Sequence, residues 1–205
     1  PYTIDKMMSE ATLLIDYFWP AVKGHPCPES ERVLFQGLWR NALAHAFAVP
    51  SSLVLRDYHV DNLVHLPDRD GVAACGLLDF QDAVIGPISY DLVSLLEDAR
   101  RDVPLDMAKA LMRRYFQAFP ALPPEALALS YAVMGAQRAT KIVGIFTRLD
   151  RRDGKPGYLR HIPRTWRWLD GGLSHPMLRD LKSWYDLHFP PDLRIAPDSQ
   201  PRTLK

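Results

Sequence analysis

The chain has 205 residues, with 25 Lys+Arg against 24 Asp+Glu and a formal net charge of +1, a length that supports one domain or one large lobe with a substantial core. The balanced charge gives no electrostatic ground for nucleic acid or an anionic membrane as a partner, and no apolar run is long enough to span a bilayer. Cys27 and Cys75 read as reduced thiols, no secretory leader is recognised, and a cytoplasmic location is expected.

In chain order, residues 4–19 repeat apolar side chains at helical spacing and are expected to stop at Pro20. A loop over 21–30 follows, and Ser30 is a candidate cap for a helix running to Ala48, with Val33, Leu34, Leu38, Leu43 and Phe47 on its apolar face. The texture then changes. Residues 53–55, 62–66 and 72–78 read as short strands, and Pro67-Asp68-Arg69-Asp70-Gly71 is a turn signal that makes a hairpin of the last two. Beyond Asp91, a candidate cap for a helix to Arg101, the pattern is helical again over 105–119, 124–149, 163–170 and 175–188. The expected fold is α+β and mostly helical, with a small β cluster inserted. Residues 1–190 are expected to form the folded lobe and 191–205 a poorly ordered tail.

The β cluster carries the chemistry-bearing residues. Asp57 stands five residues before Asn62 in Leu55-Arg56-Asp57-Tyr58-His59-Val60-Asp61-Asn62, and Asp79 ends the apolar run Leu77-Leu78. A phosphoryl-transfer site needs an oriented hydroxyl nucleophile and divalent metal on the phosphate oxygens. Asp57 suits the base, and Asn62 and Asp79 supply the hard oxygen ligands that Mg²⁺ takes when it also binds ATP. The bland alternative is a set of turn-capping Asx residues. No cluster of His and Cys has zinc spacing.

Arg56-Asp57-Tyr58-His59-Val60-Asp61-Asn62-Leu63, Leu78-Asp79-Phe80-Gln81-Asp82-Ala83 and Gly86-Pro87-Ile88-Ser89-Tyr90-Asp91-Leu92 together resemble the aminoglycoside phosphotransferase/choline kinase family. The resemblance covers nearly the whole chain as that family's C-terminal lobe, within a protein-kinase-like fold. It implies Asp57 as the catalytic aspartate, Asn62 and Asp79 as metal and ATP-site ligands, Asp91 as a brace of the catalytic loop, and His59 as an orienting residue. Leu55 departs from the histidine many members carry there. Within the family, Ser94-Leu95-Leu96-Glu97-Asp98-Ala99-Arg100 and Arg152-Asp153-Gly154-Lys155 look like the anomeric N-acetylmuramate/N-acetylglucosamine kinases of bacterial cell-wall recycling. An aminoglycoside kinase is the alternative within the class, and a catalytically silent kinase-like module the alternative outside it.

Candidates for sugar contact are Asp82, Asp98, Arg100 and Arg138, with Lys141 and Arg148 further along. A substrate carboxylate would favour arginine. The aromatic group Trp166, Trp168, Trp184 and Tyr185 reads as helix packing in preference to sugar stacking. No G-x-G-x-x-G loop, Walker A run or V-A-I-K-like strand is present. The expectation is that an N-terminal nucleotide lobe of the parent protein lies outside this sequence, and that the 205 residues alone bind ATP weakly.

Overall fold

The computed structural model describes residues 1–199. Thr3 starts α1 (Ile4–Ala11) by accepting a hydrogen bond from the Lys6 N–H. Pro20, expected to end this helical stretch, does not. A π-helical turn, Leu14–Phe18, precedes it, and Pro20 sits in the first turn of α2 (Trp19–Lys23). A first-turn proline forfeits no helical donor, and the wider turn ahead of it leaves room for its ring. The stop comes at Gly24, whose φ of 76° is the left-handed conformation that glycine adopts without a side-chain clash.

Helix α3 (Glu29–Ala46) begins after Pro28, so Ser30 lies inside the first turn and is not its cap. Phe35, Trp39, Ala42, Leu43 and Ala46 form its buried stripe. Val33 and Leu34 were expected inward, yet they are 60% and 50% exposed because they fall off that stripe.

The β cluster contains two nested antiparallel pairs. Strand β1 (Ser51–Val54) pairs with β4 (Val84–Pro87), in the register Ser51↔Pro87 to Val54↔Val84. Between them, β2 (Leu63–His65) and β3 (Cys75–Leu77) form the expected hairpin, in the register Leu63↔Leu77 to His65↔Cys75. The third strand is shorter than expected because Gly71–Ala74 coils into a 3₁₀ turn, entered at Gly71 with a φ of 58°.

The helical part follows: α4 (Ser89–Leu96), α5 (Leu105–Gln117), α6 (Pro124–Arg151), α7 (Ile162–Leu173) and α8 (Arg179–His188). Helix α4 starts two residues before Asp91 and stops at Leu96, short of the expected Arg101. The Asp98 carboxylate then accepts the Arg100 N–H at 2.8 Å, a local bond that competes with helix continuation. Helix α6 is the axis of the molecule, with α1, the π-helical turn, α3, α4 and α7 packed against it. Two glycines set its closest approaches. A Cβ on Gly144 would lie 2.5 Å from the Leu13 carbonyl carbon, and one on Gly172 of α7 would lie 2.9 Å from the Ala132 oxygen.

Trp166, Trp184 and Tyr185 are 1%, 3% and 0% exposed, packed with Phe18, Phe35 and Phe189. They are core residues, as the packing alternative held. Cys27 is buried, Cys75 exposed, and both are free. Residues 191–199 depart from the expected loose tail: Arg194 ion-pairs with Asp170 and Asp186, and the Ser199 hydroxyl donates to Asp150 at 2.9 Å. The rest of that expected tail lies outside the described residues. Among the described residues, no helix is long and apolar enough to cross a membrane.

Candidate active site

Asp57 lies on the loop between β1 and the 3₁₀ turn Val60–Asn62, exposed at the end of a strand. Two devices shape this loop. The first is Asp91 on α4, whose carboxylate oxygens accept the N–H groups of Leu55 at 2.7 Å and Arg56 at 3.1 Å, while the Ser94 hydroxyl donates to the Arg56 carbonyl at 3.1 Å. Asp91 therefore caps no helix of its own and braces the loop. Burial pushes its carboxyl upward, and the two backbone N–H groups pull it back in part.

The second device is Arg56 itself. Its φ of 70° is unusual for a residue with a side chain, a conformation that costs about 1–3 kcal/mol and persists only where neighbours impose it. Its guanidinium reaches Glu10 of α1 at 2.8 Å and lies over the Tyr2 ring, 5.5 Å from the centroid. Burial opposes the Arg56 charge, but Glu10 and Tyr2 outweigh it and hold its pKa above the ordinary value. Glu10 also takes the Tyr2 hydroxyl and Lys141 Nζ of α6, the latter at 3.4 Å. The residue before Asp57 is thus tied through one buried carboxylate to the first helix and the central one.

The Asn62 side-chain amide donates to the Asp57 carbonyl at 2.9 Å, so its Oδ1 faces no protein donor among the described residues. The Leu78 N–H donates to the Asn62 carbonyl at 2.9 Å, extending the β2–β3 ladder by one step and setting Asp79 immediately beyond it. Asp79 is exposed, at a φ of 56°, with one oxygen held by Gln81 Nε2 at 2.6 Å. The strand ends therefore bring Asp57, Asn62 and Asp79 to one edge. A free amide oxygen and a free carboxylate oxygen are hard donors that fit Mg²⁺, which keeps its remaining positions for water and phosphate. No group of three or more His, Cys, Asp or Glu with metal-binding geometry occurs among the described residues.

His59 is 6% exposed, and its Nδ1 has no partner. Burial, then the nearby Arg100, holds its pKa below the ordinary value, which favours the neutral ring. Asp82 is exposed on the loop after Asp79. Two sequence candidates for sugar contact change place. Asp98 is 0% exposed and turned onto the Arg100 N–H, and Arg138 is 4% exposed with Nη1 on the Glu97 carbonyl at 3.4 Å. Both are enclosed, Arg138 where α6 meets the end of α4 and Asp98 beside Trp168 of α7, and neither offers open surface. Lys141, likewise, is consumed by Glu10. Arg100 is half-buried and borders an open pocket.

Tyr2, Glu10, Arg56 and Ser94 escaped the sequence reading. Glu10 left a trace: it is a lone acid among Met7, Met8, Ala11 and Leu14 on a buried helix face, where an unpaired charge is costly.

Residues 16–127 match the sequence model described as the phosphotransferase enzyme family, more than half of the chain. The chain belongs to that family. It is 42% identical over 160 residues to an N-acetylmuramate/N-acetylglucosamine kinase of Caulobacter vibrioides, covering 78% of this chain and 44% of the relative. Similar matches are the same-named proteins of Neisseria meningitidis serogroup B, 40% identical with 82% and 51% covered, and of Pseudomonas putida, 33% identical with 78% and 48% covered. The chain spans about half the length of these relatives. The mostly helical fold with two small antiparallel sheets accords with the family, and the resemblance carried by residues 56–63, 78–83 and 86–92 is borne out.

Proposed function

We propose that this chain carries the base- and metal-bearing part of a kinase site that moves the γ-phosphoryl group of ATP to a hydroxyl of an N-acetyl amino sugar. The acceptor is the anomeric hydroxyl of N-acetylmuramate or N-acetylglucosamine. One observation carries the reading: Asn62 spends its amide hydrogen on the Asp57 carbonyl, which leaves its oxygen free on the edge that also bears Asp79. A turn-capping Asx cluster would turn its oxygens onto backbone N–H groups instead. The names of the relatives support the sugar.

In this reading, Asp57 accepts a hydrogen bond from the sugar hydroxyl and aims its oxygen at the γ-phosphorus. As the new O–P bond forms, the bond to the bridging β–γ oxygen breaks and ADP leaves. The hydroxyl proton passes to Asp57. Asn62 and Asp79 would hold Mg²⁺, which neutralises charge on the phosphate oxygens. Asp91 and Arg56 keep the backbone of Asp57 in place.

We place residues 1–190 as the C-terminal lobe of a protein-kinase-like fold, with the phosphate-clamping glycine loop and lysine on polypeptide outside this sequence. The relatives, of which the chain covers 44% and 51%, support this, and so do exposed apolar side chains on the β cluster. Leu53 and Ile85 are cross-strand partners, 61% and 53% exposed, and Leu77, Leu78 and Phe80 beside Asp79 are 41%, 53% and 57% exposed. Exposed apolar groups clustered in this way mark a covered surface.

The test is ADP release by the complete protein with N-acetylmuramate, N-acetylglucosamine, a kanamycin-type aminoglycoside and choline. The two N-acetyl sugars are expected to be turned over, and Asp57→Asn should lower kcat by roughly 10²–10⁴-fold. An unchanged rate in that variant would remove Asp57 from the role of base.

A further inference from the structure

Beside the catalytic loop lies an open pocket of about 420 Å³ lined by Arg100, Lys155, Gly157, Tyr158, Arg160 and His161, a volume within the range of small-ligand sites. Its floor is rigid. The rings of Tyr158 and His161 pack on Phe146 of α6, with centroids 5.3 and 5.8 Å away. Lys155 is set by its N–H bond to the Leu149 carbonyl at 2.9 Å, after Gly154 turns the chain at a φ of 64°.

The pocket adjoins the loop that holds Asp57. Arg101, next to Arg100, ion-pairs with Asp61 of that loop at 2.6 Å, while Arg100 lines the pocket with His161. Arg100 and Arg101 therefore join this pocket to the catalytic loop.

No carboxylate lines the pocket. Three acids around it are already engaged, Asp61 by Arg101, Asp102 by Arg164 at 2.8 Å and Asp153 by Arg152 at 2.7 Å, and the buried Asp98 carboxylate is turned onto the Arg100 N–H. Arg100, Lys155 and Arg160 make no ion pair among the described residues; Arg160 Nε donates only to His161 Nε2 at 3.2 Å. Three cations on one concave surface without a counter-charge repel one another and attract a small anion. One buried polar atom nearby is also unmatched, His59 Nδ1. A polar ligand or the water it carries would complete it.

We propose that this pocket is an anionic subsite that receives the carboxylate of an acidic N-acetyl amino sugar, with Arg100 and Lys155 as specificity-determining residues. The inference rests on the sugar-kinase reading above. N-acetylmuramate differs from N-acetylglucosamine by a lactyl ether ending in a carboxylate. A guanidinium paired with that group in a partly enclosed pocket forms charge-assisted hydrogen bonds that the neutral sugar cannot form. The subsite thus separates the two sugars by one charge.

The experiment measures KM and kcat for both sugars and for ATP, and calorimetric affinity for both sugars, on the complete protein and its Arg100→Gln, Arg100→Lys and Lys155→Gln variants. The selectivity ratio, kcat/KM for the acidic sugar over the neutral one, is expected to fall roughly 10- to 100-fold in each glutamine variant, through KM. Arg100→Lys should recover part of it. A ratio within twofold of wild type in both glutamine variants overturns the subsite, as does an equal loss for both sugars. A change confined to the KM of ATP would assign the cations to nucleotide phosphates and overturn it too. Loss of phosphoryl transfer in the wild type, with Arg100-dependent binding of the acidic sugar retained, would overturn the kinase reading alone. No binding of the acidic sugar to the wild type overturns both.

Discussion

Glu97 shows how burial, acting on one residue, leaves a mark on the whole protein. Its carboxyl is enclosed beside Gly135, where a Cβ added to the glycine would lie 2.8 Å from Oε2, and that oxygen has no hydrogen-bond partner. Burial pushes its pKa from 4.5 up to about 7, although the Tyr131 hydroxyl and Arg138 favour the charged form. The folded chain therefore holds a proton that the unfolded chain releases near its ordinary value. Between those two values the folded state binds more protons, so stability falls as pH rises through that window and levels off above it. The full swing is about 3 kcal/mol. Glu97→Gln, which copies the protonated group, should lie within about 1 kcal/mol of the wild type at pH 5 and exceed it by a larger margin at pH 8. Thermal unfolding at the two pH values checks this, and an equal difference at both would remove Glu97 as the cause. The same scale holds two left-handed residues, Arg56 and Asp79, each adjoining or forming part of the site. Nothing in their local sequence announces that conformation. It is imposed by Asp91, Glu10 and the hairpin ladder.

Among the elements, the contact between α6 and the π-helical turn shows most directly what the sequence withholds. Gly144 reads as a weak point in a helix, yet it is where the backbone of Leu13 and Leu14 comes closest. Gly144→Ala should cost about 2–3 kcal/mol, since backbone, unlike a side-chain tip, cannot move aside. Gly171 on α7 meets nothing within 4 Å, so Gly171→Ala should stabilise by up to about 1 kcal/mol through helix propensity. Urea unfolding of the two variants should give shifts of opposite sign, and a like sign would contradict this packing. The legible elements were those with local punctuation. Helices α5 and α6 begin after Pro104 and Pro123, and the Asp70-Gly71 turn sets the hairpin. Strand β4 was not legible: Val84-Ile85-Gly86-Pro87 has no alternation and is a strand only because β1 lies beside it. In the site, the Asp57–Asn62 spacing and Asp79 were visible because they fall at strand ends. The Glu10–Arg56–Lys141 group was not, because three distant segments assemble it.

At the scale of the whole molecule, the chain divides its two tasks unequally. The helical part, organised round α6, is sealed by aromatic residues and encloses Glu10, Arg138 and Lys141. The β cluster presents exposed leucines and isoleucine beside the candidate catalytic edge. In the proposed reading it supplies the groups for base and metal, and the phosphate clamp lies elsewhere. Metal-bound oxygens alone fix only one side of a triphosphate, and transfer requires the γ-phosphorus within near-attack distance of the sugar oxygen. Where positioning is lost, much of the several kcal/mol that orientation supplies is lost with it. On the proposed two-lobe reading, the 205-residue chain alone is expected to release ADP at least about a hundredfold more slowly than a longer protein carrying the clamp, with a raised KM for ATP. Its affinity for the acidic sugar should fall far less, because Arg100, Lys155 and Arg160 all lie within it. Steady-state ADP release and sugar calorimetry on the two proteins, side by side, measure the division. Equal rates would show that the phosphate clamp is already present in these residues, in a form that no recognised motif reveals.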